Sequence, residues 1–351
     1  MAQDRAPVRC HDVDRHDRTK ATRRSLLVGA GALVLADSAR AGWEPSLRIP
    51  DPAVKILDDA FRRYWVFSAT IERLYTGCRW AEGPVWMGDW RALIWSDVTG
   101  NMMMRWDEAT GQVSAYRSPS NFSNGNSRDY QGRLITCEHL FRRVTRTEHD
   151  GSLTIIADTF DGKPLNSPND IVSRSDGSIW FTDPAFGPNG SERMSKPELP
   201  GTVYRWTPDG KLAALATDIK GPNGLCFSPD EKTLYVIESR TTPRQIRGYD
   251  VVDGGTKISN SRVVVNAGPG ATPDGFRCDA DGNLWCGWGQ GSDELDGVKV
   301  FSPEGKPLAH ITLPERCANL CFGGINHDRL FMASSHSLYS LMTNARGATN
   351  W

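Results

Sequence analysis

The sequence lacks a strong excess of charge of either sign. Its 351 residues include 41 Lys and Arg against 42 Asp and Glu, which gives a formal net charge of −1 at pH 7. The isoelectric point is about 6.7. Nucleic-acid-binding domains usually show a basic face and a high isoelectric point. The charge balance therefore argues against a nucleic-acid partner.

Several short motifs with a defined chemistry are also missing. Among the eight cysteines there is no Cys-x-x-Cys and no Cys/His spacing of the zinc-binding type. The chain has no G-x-S-x-G elbow, no P-loop and no H-E-x-x-H motif. The glycine-rich stretch 287–297 follows a predicted strand but does not open a helix, so it fails the dinucleotide-binding pattern. No motif therefore indicates a cysteine zinc site, a serine-hydrolase elbow, a P-loop, an H-E-x-x-H zinc site or a dinucleotide site.

The cysteines do not suggest a disulfide framework. If Cys10 is removed with a leader, seven cysteines remain, so at least one cannot pair within the chain. A chain of this length does not need disulfides to build a core. Cys226, Cys278, Cys286 and Cys321 fall at apolar positions of predicted strands, which favours buried free thiols.

Long hydrophobic runs are lacking, apart from one short run near the N terminus. Leu26 to Ala36 is apolar, follows the pair Arg23-Arg24 and precedes the small-residue end Ala39-Arg40-Ala41. This order is typical of an export signal, and the arginine pair resembles a twin-arginine signal. The run is too short to span a bilayer, so an uncleaved anchor or a chance basic segment is the alternative. We predict that residues 1–41 engage the twin-arginine export machinery and that the mature protein is periplasmic or secreted in a bacterium, without a membrane span.

What the sequence does contain is a repeat. A polar residue, a short apolar strand, a turn rich in Asp, Gly and Asn and a second strand recur six times. The units begin at intervals of 42, 45, 54, 51 and 45 residues, at Glu82, Asn124, Asn169, Asn223, Asp274 and Asn319. A third strand follows in every unit and a fourth can follow in the first five. Four strands per unit and six units predict a six-bladed β-propeller, whereas a row of β-sandwich domains would leave the common period unexplained.

The two ends of the repeat region indicate how the ring closes. The sixth unit stops after its third strand, while residues 69–77 resemble a strand without a unit of its own. We predict that this strand completes the last blade and so removes an exposed sheet edge. The propeller then spans 69–351 and follows an N-terminal extension at 42–68. Val54, Leu57 and Phe61 in that extension have helical spacing and predict a short helix.

The first residues of the six units, here called the axial ring, form the main candidate site. The first strand of every propeller blade lines the central channel, so equivalent positions lie around one axis. All six side chains end in oxygen ligands of the kind that Ca²⁺ prefers. Asn and Asp also favour tight turns, and this alternative fits Asn223-Gly224 and Asp274-Gly275 but not Glu82. The axial ring therefore predicts a site for a divalent cation.

A second set of polar residues lies at the far end of each hairpin. Its members are Ser96, Asp97, Glu138, His139, Thr182, Asp183, Glu238, Ser239, Ser335 and His336, with Trp288 in the fifth unit. Taken singly, each is explained as a solvated loop residue. Taken together, they predict a polar pocket in which His139, Asp183 and His336 contact a substrate. The two histidines would carry protons near neutral pH.

A set of motifs in fixed order resembles one known family, that of senescence marker protein-30, gluconolactonase and luciferin-regenerating enzyme. The resemblance covers about 80–351, and bacterial gluconolactonase-like members are particularly similar. The motifs are WAEGPVW at 80–86, SPND at 167–170, PNGLCFSPD at 222–230, PDGFRCDADGNLW at 273–285 and LPERCANLCFGG at 313–324.

This resemblance implies a fold, a cofactor and a reaction. It implies a six-bladed propeller with one divalent cation in the channel, commonly Ca²⁺, with Zn²⁺, Mg²⁺ and Mn²⁺ as alternatives. The cation ligands it implies are Glu82, Asn169, Asn223 and Asp274, and Asn124 and Asn319 are left as substrate-side or structural amides. The implied reaction is the opening of a small lactone, with the cation polarising the carbonyl. Asp274 would be the general base, or alternatively the nucleophile, and Asn169 would orient the substrate.

One position departs from the family pattern. Members with sugar-lactone activity often carry Arg two residues before the Asn that corresponds to Asn169, whereas this chain has Ser167. The identity of the substrate is therefore open. Phosphotriesters or other esters are alternatives, as is a non-catalytic propeller that binds a ligand or protein and is held together by calcium. Residues 187–201, rich in Gly, Pro and charge, are typical of a mobile loop and form a candidate lid.

Overall fold

The computed structural model describes residues 43–184, 186, 197–289 and 291–348. Across these residues, six antiparallel sheets of four or five strands follow one another along the chain. The predicted export signal at 1–41 and the part of the candidate lid at 187–196 lie outside the described residues. The six-bladed propeller predicted from the repeat is confirmed.

The strands have the following bounds. Two precede the first blade: β1 (Val54–Ile56) and β2 (Glu72–Thr76). Blade 1 contains β3 (Ala81–Met87), β4 (Ala92–Asp97), β5 (Met102–Asp107) and β6 (Val113–Arg117). Blade 2 contains β7 (Ser123–Arg128), β8 (Leu134–Glu138), β9 (Arg143–Thr147) and β10 (Leu153–Ala157). A two-stranded ribbon, β11 (Thr159–Phe160) and β12 (Lys163–Pro164), follows blade 2.

The remaining blades continue in the same order. Blade 3 contains β13 (Ile171–Ser173), β14 (Ile179–Asp183), β15 (Thr202–Trp206) and β16 (Leu212–Ala216). Blade 4 contains β17 (Pro222–Phe227), β18 (Thr233–Glu238), β19 (Gln245–Val252) and β20 (Lys257–Asn266). Blade 5 contains β21 (Phe276–Cys278), β22 (Leu284–Trp288), β23 (Gly297–Phe301) and β24 (Pro307–Thr312). Blade 6 contains β25 (Cys317–Gly323), β26 (Arg329–Ser334) and β27 (Ser337–Met342).

The last blade is completed from the other end of the repeat region. Strand β2 pairs antiparallel with β27, with Glu72 opposite Ser340 and Thr76 opposite Ser337. The predicted ring closure by residues 69–77 is thus confirmed. Since β2 covers the outer edge of blade 6, that edge is not left open.

The N-terminal extension does not form one helix across Val54, Leu57 and Phe61. Val54–Ile56 is strand β1, which pairs with β24 and adds a fifth strand to blade 5. The helical part is the short 3₁₀ helix Asp59–Arg63, capped by the Asp58 side chain, which accepts from the Ala60 N–H at 2.9 Å. Val54 lies in a strand and not in a helix because the edge of β24 offers backbone hydrogen bonds, which sequence periodicity does not reveal. Two further 3₁₀ turns are Gly88–Trp90 and Asp253–Gly255.

The core lies between the blades. Trp180 of blade 3 packs edge-on against Phe227 of blade 4, with ring centroids 5.1 Å apart. Trp86 of blade 1 stacks on Phe331 of blade 6 at 5.7 Å. All residues of the inner strands β3 and β25 are buried, since neighbouring blades cover both of their faces. This explains why apolar residues occupy consecutive positions in these two strands, VWM in β3 and LCF in β25, instead of alternating with polar ones.

All seven cysteines in the described part of the chain are buried thiols. Cys226 and Cys278 approach most closely, with their sulfur atoms 3.6 Å apart, well beyond the length of a disulfide bond. The interpretation of the strand cysteines as buried thiols is confirmed. Within the same residues, no helix is long and apolar enough to cross a membrane.

Candidate catalytic site on the channel axis

The inner strands meet so closely that the axial ring becomes one site. The Gly125 N–H of blade 2 donates to the Asn169 carbonyl of blade 3 at 2.8 Å, and the Gly275 N–H of blade 5 donates to the Ala318 carbonyl of blade 6 at 2.7 Å. The Asn126 side chain donates to the Gly83 carbonyl of blade 1 at 2.8 Å. Backbone contacts between blades therefore fix the relative positions of the axial ring residues.

The glycine that follows many axial ring residues is required by this close approach. A Cβ atom at Gly83 would lie 2.1 Å from the Asn124 carbonyl oxygen, and one at Gly224 would lie 2.5 Å from the Asp274 carbonyl oxygen. A Cβ at Gly125 would lie 2.5 Å from the carbonyl oxygen of Asn169. The Asn-Gly and Asp-Gly pairs thus reflect packing between blades more than turn formation.

Three buried carboxylates lie together on the axis: Glu82, Asp170 and Asp274. Burial, together with the charges of Asp274 and Asp170, raises the pKa of Glu82 to about 8. Hydrogen bonds from the Gly83 N–H and the Asn319 side chain act in the opposite direction and lower it. Burial also raises the pKa of Asp274, and the nearby charge of Arg316 and a hydrogen bond from Asn223 oppose that shift. Burial therefore favours the protonated form of both carboxyl groups unless a cation lies beside them.

Cationic side chains compensate only part of this charge. Arg277 lies 3.3 Å from Asp170, and Arg316 forms an ion pair with Asp274. Among the described residues, Glu82 has no ion-pair partner. One carboxyl group on the axis thus lacks a cationic partner among the described residues.

The donor chemistry of the axial ring fits a hard divalent cation. No cluster of three or more His, Cys, Asp and Glu suited to a metal occurs in the described parts of the chain. The predicted ligand set instead combines the carboxylates of Glu82 and Asp274 with the amides of Asn169 and Asn223. Carboxylate and amide oxygens are ligands that Ca²⁺ accepts. Glu82 is buried without a cationic partner among the described residues, and a bound cation would stabilise its ionised form; this is the observation that favours a cation here.

The amides of the axial ring differ in what they contact. The Asn223 side chain donates to Asp274 Oδ1 at 2.9 Å. Asn319 lies against Gly275, where a Cβ would come within 1.9 Å of its side chain, and its Oδ1 accepts from the Leu320 N–H at 2.8 Å. Asn124 Nδ2 lies 3.4 Å from the Nε2 atom of His139. Asn169 is fixed through its backbone, whose N–H donates to the Thr182 carbonyl at 2.8 Å.

The predicted substrate-contacting histidines do not behave as a pair. His139 is buried, and burial lowers its pKa to about 4, so its ring is neutral at pH 7 and exchanges protons only in acid. His336 is exposed, and its Nδ1 lies 2.9 Å from the Cys78 carbonyl. The two rings thus lie in different environments.

Asp183 and its equivalents anchor loops. Asp183 is fully buried and accepts from the backbone N–H groups of Asn166 at 2.8 Å and Ser167 at 2.6 Å; burial raises its pKa to about 7. Asp97 Oδ1 likewise accepts from the Trp80 N–H at 3.0 Å, and Glu238 from the Lys220 N–H at 2.9 Å. These carboxylates hold the segments that lead into the inner strands, a role that sequence position alone did not indicate.

Three residues at this site were not identified from the sequence: Asp170, Arg277 and Arg316. Asp170 and Arg277 are joined across blades 3 and 5. A signal for this pair does exist, because Asp170 directly precedes inner strand β13 and Arg277 interrupts inner strand β21. Arg316 precedes β25 in a polar stretch that carries no such signal.

The chain is similar to a known family and to several known proteins. The family model described as "SMP-30/Gluconolactonase/LRE-like region" matches residues 80–336. A gluconolactonase from Zymomonas mobilis is 28% identical over 303 residues, covering 80% of this chain and 83% of that protein. A solved gluconolactonase from Xanthomonas campestris is 36% identical with a TM-score of 0.76, covering 87% of this chain and 99% of that one.

A more distant structure shares the fold. A calcium-binding regucalcin from Agrobacterium tumefaciens is 21% identical with a TM-score of 0.63, covering 77% of this chain and 92% of that one. At this identity the likeness shows the fold alone. With the propeller in place and the family model matched over most of the blades, this chain belongs to the SMP-30/gluconolactonase/LRE-like family.

Proposed function

We propose that the protein is a lactonase, a carboxylic ester hydrolase that opens a small lactone at the channel mouth. Family membership and similarity to gluconolactonases support the reaction class. The observation that carries the proposal is the buried Asp274 carboxylate, held between Asn223 and Arg316 and close to the buried carboxylate of Glu82. This arrangement supplies a base and an anionic cation-binding face in one place.

The residues proposed to hold a divalent cation are Glu82, Asn169, Asn223 and Asp274. Ca²⁺ is the proposed ion because the donors are carboxylate and amide oxygens. When bound, the cation would act as a Lewis acid that polarises the ester carbonyl. Asn169 would orient the substrate.

Asp274 is the proposed general base. Its carboxylate takes a proton from a water molecule whose oxygen attacks the lactone carbonyl carbon. The ring C–O bond then breaks, and Asp274 returns the proton to the departing ring oxygen. The product is a hydroxy acid, whose ionisation releases the proton that a pH indicator detects.

Hydrolysis of gluconolactone by the mature chain tests the proposal. We expect activity to be lost after EDTA treatment and to return with Ca²⁺, with Mg²⁺, Mn²⁺ and Zn²⁺ compared in parallel. Asp274→Asn should lower kcat by about 10²- to 10⁴-fold, the usual contribution of a general base. Asp209→Asn is the matched control, since Asp209 is an exposed residue paired with Lys211. A near-normal kcat in Asp274→Asn would remove Asp274 from this role.

A second substrate class is retained because of Ser167. Its hydroxyl is buried and donates to the Pro184 carbonyl at 2.5 Å, so it cannot replace an arginine that contacts substrate. Phosphotriesters or other esters are therefore the second candidate, and a substrate panel distinguishes them from lactones. Cation binding without hydrolysis of any ester would support a non-catalytic binding propeller instead.

We also propose that residues 1–41 direct export by the twin-arginine route. The support is the order of charged, apolar and small residues in the sequence. Replacing Arg23 and Arg24 with Lys should retain the protein in the cytoplasmic fraction, whereas Arg40→Lys should not. Equal export of the double variant would show that another route is used.

A further inference from the structure

Arg316 is held rigidly at the channel mouth. Its backbone carbonyl accepts from the Ser335 N–H at 3.1 Å and the Ser335 hydroxyl at 3.3 Å. Its guanidinium lies 5.6 Å from the centroid of the Trp80 ring, within range of a cation–π interaction. The backbone that carries Trp80 is held as well, because its amide N–H donates to Asp97 Oδ1 at 3.0 Å. The backbone and the guanidinium face of Arg316 are therefore both restrained.

The Arg316 guanidinium contacts one oxygen of Asp274. It donates to Oδ2, while the Asn223 side chain donates to Oδ1 at 2.9 Å. Each carboxylate oxygen thus has one side-chain donor, and the two donors come from different blades. A donor on each oxygen restricts rotation of the carboxylate, and each ionised oxygen keeps a second acceptor position.

The arginine contact leaves one donor of the guanidinium unpaired. Arg316 Nε is buried and has no hydrogen-bond partner among the described residues, which is unfavourable. The guanidinium is nevertheless directed at Asp274 Oδ2. The contact with Asp274 is therefore kept at the expense of another hydrogen bond.

We infer that Arg316 is a positioning residue that orients the Asp274 carboxylate for its work as general base. This inference rests on the lactonase function proposed above. Arg316 acts through Asp274: it fixes one oxygen, so the remaining acceptor positions keep a constant direction toward the channel. The planar guanidinium suits this role better than an ammonium group, which is a point charge on a flexible stem.

The test compares Arg316→Gln and Arg316→Lys with Arg79→Gln. Arg79 is exposed and precedes Trp80, so its substitution removes one positive charge near the mouth without touching Asp274. We expect Arg316→Gln to lower kcat by about 100-fold, as for a misplaced catalytic group, with KM close to that of the wild type. Arg316→Lys should recover little of this loss, and Arg79→Gln should leave kcat unchanged.

Chemical rescue provides a readout that a purely structural role would not move. Millimolar guanidinium chloride should restore part of kcat to Arg316→Gln but none to Asp274→Asn. Full activity in Arg316→Lys would show that charge alone matters and would overturn the inference. A rise in KM at constant kcat would overturn it as well, since Arg316 would then bind substrate.

Two measurements keep the inference separate from the proposed function. Circular dichroism and a thermal melt establish that each variant is folded before its kinetics are interpreted. If the wild-type protein opens no lactone, the proposed function fails. Calorimetric titration of Ca²⁺ then still tests the contact: Arg316→Gln should bind the ion more tightly than Arg79→Gln, because it removes a positive charge in direct contact with Asp274, which repels the ion. Equal affinities would contradict the contact itself.

Discussion

Two guanidinium–carboxylate pairs lie near the channel axis, and they differ in what else holds the carboxylate. Asp170 accepts from two backbone N–H groups, those of Ile171 at 3.0 Å and Leu225 at 3.4 Å, as well as from Arg277 at 3.3 Å. Asp274 accepts from side chains alone, those of Asn223 and Arg316. A carboxylate fixed by the backbone of two blades is part of the frame, whereas Asp274 depends on two side chains for its orientation. We therefore expect the first pair to serve stability and the second pair to serve the proposed chemistry.

Removing the two arginines in turn should separate these roles most strongly. Arg277→Met leaves Asp170 charged and buried, so we expect a loss of about 3–5 kcal/mol in unfolding free energy. Arg316→Met should cost only about 1 kcal/mol, because it also removes the buried Nε donor that has no partner among the described residues, and Asp274 keeps its hydrogen bond from Asn223. Urea unfolding of the EDTA-treated proteins measures both values. Equal losses would contradict the division into frame and site.

The frame should also show a defined response to acid through His139. Its pKa is about 4 when folded, below the ordinary value of about 6.5 for an unfolded chain. Only the unfolded state gains the proton between these values, so stability is complete above pH 6.5 and falls as the pH drops. The loss attributable to this ring is up to about 3 kcal/mol.

His139→Gln is the variant that isolates this contribution. The pH dependence of its unfolding free energy between neutral pH and pH 4 should be flatter than that of the wild type. His310, whose pKa is also lowered to about 4 by burial and nearby lysines, contributes to both proteins and cancels in the difference. Parallel curves for the two proteins would show that the His139 ring is accessible to protons.

The smallest expected effect distinguishes backbone from side-chain contacts at the axis. A Cβ at Gly125 would meet backbone atoms of Asn169 and Asp170, whereas a Cβ at Gly275 would meet the Asn319 side chain. Gly125→Ala should therefore cost about 1–3 kcal/mol, the usual range for overpacking. Gly275→Ala should cost less, because a side chain can shift. Thermal denaturation of both variants tests this order.

The architecture was predictable because the six blades pack around the axis in the same way. Each inner strand needs a polar residue at the axis, close contact with its neighbours and an apolar run between blades, and these needs repeat in the sequence. The partner of 69–77 was also predictable, because the sixth unit lacked a fourth strand. Local sequence patterns were therefore sufficient to predict the six blades and the ring closure.

Contacts that depend on the assembled ring were not predictable. Asp170 and Arg277 are far apart in sequence and meet only because three inner strands converge. Val54 joins a sheet because β24 has an open edge, a tertiary fact that overrides helical spacing. The sequence predicts that Asp183 contacts a substrate, and it does not reveal that the Asp183 oxygens hold the backbone of the segment before Asn169. In each case the neighbour that decides the role is supplied by another blade.

The pairing of β2 with β27 also bears on how the protein is made. Ser340 and Glu72, which are hydrogen bonded across this pair, are 268 residues apart in the chain. During synthesis β2 leaves the ribosome first and its partner last, and domains fold as their chain emerges. Blade 6 can thus assemble only after nearly the whole propeller has been translated. Closure of the ring consequently requires a chain that extends through β27, since a chain cut short before β27 leaves β2 without its partner strand.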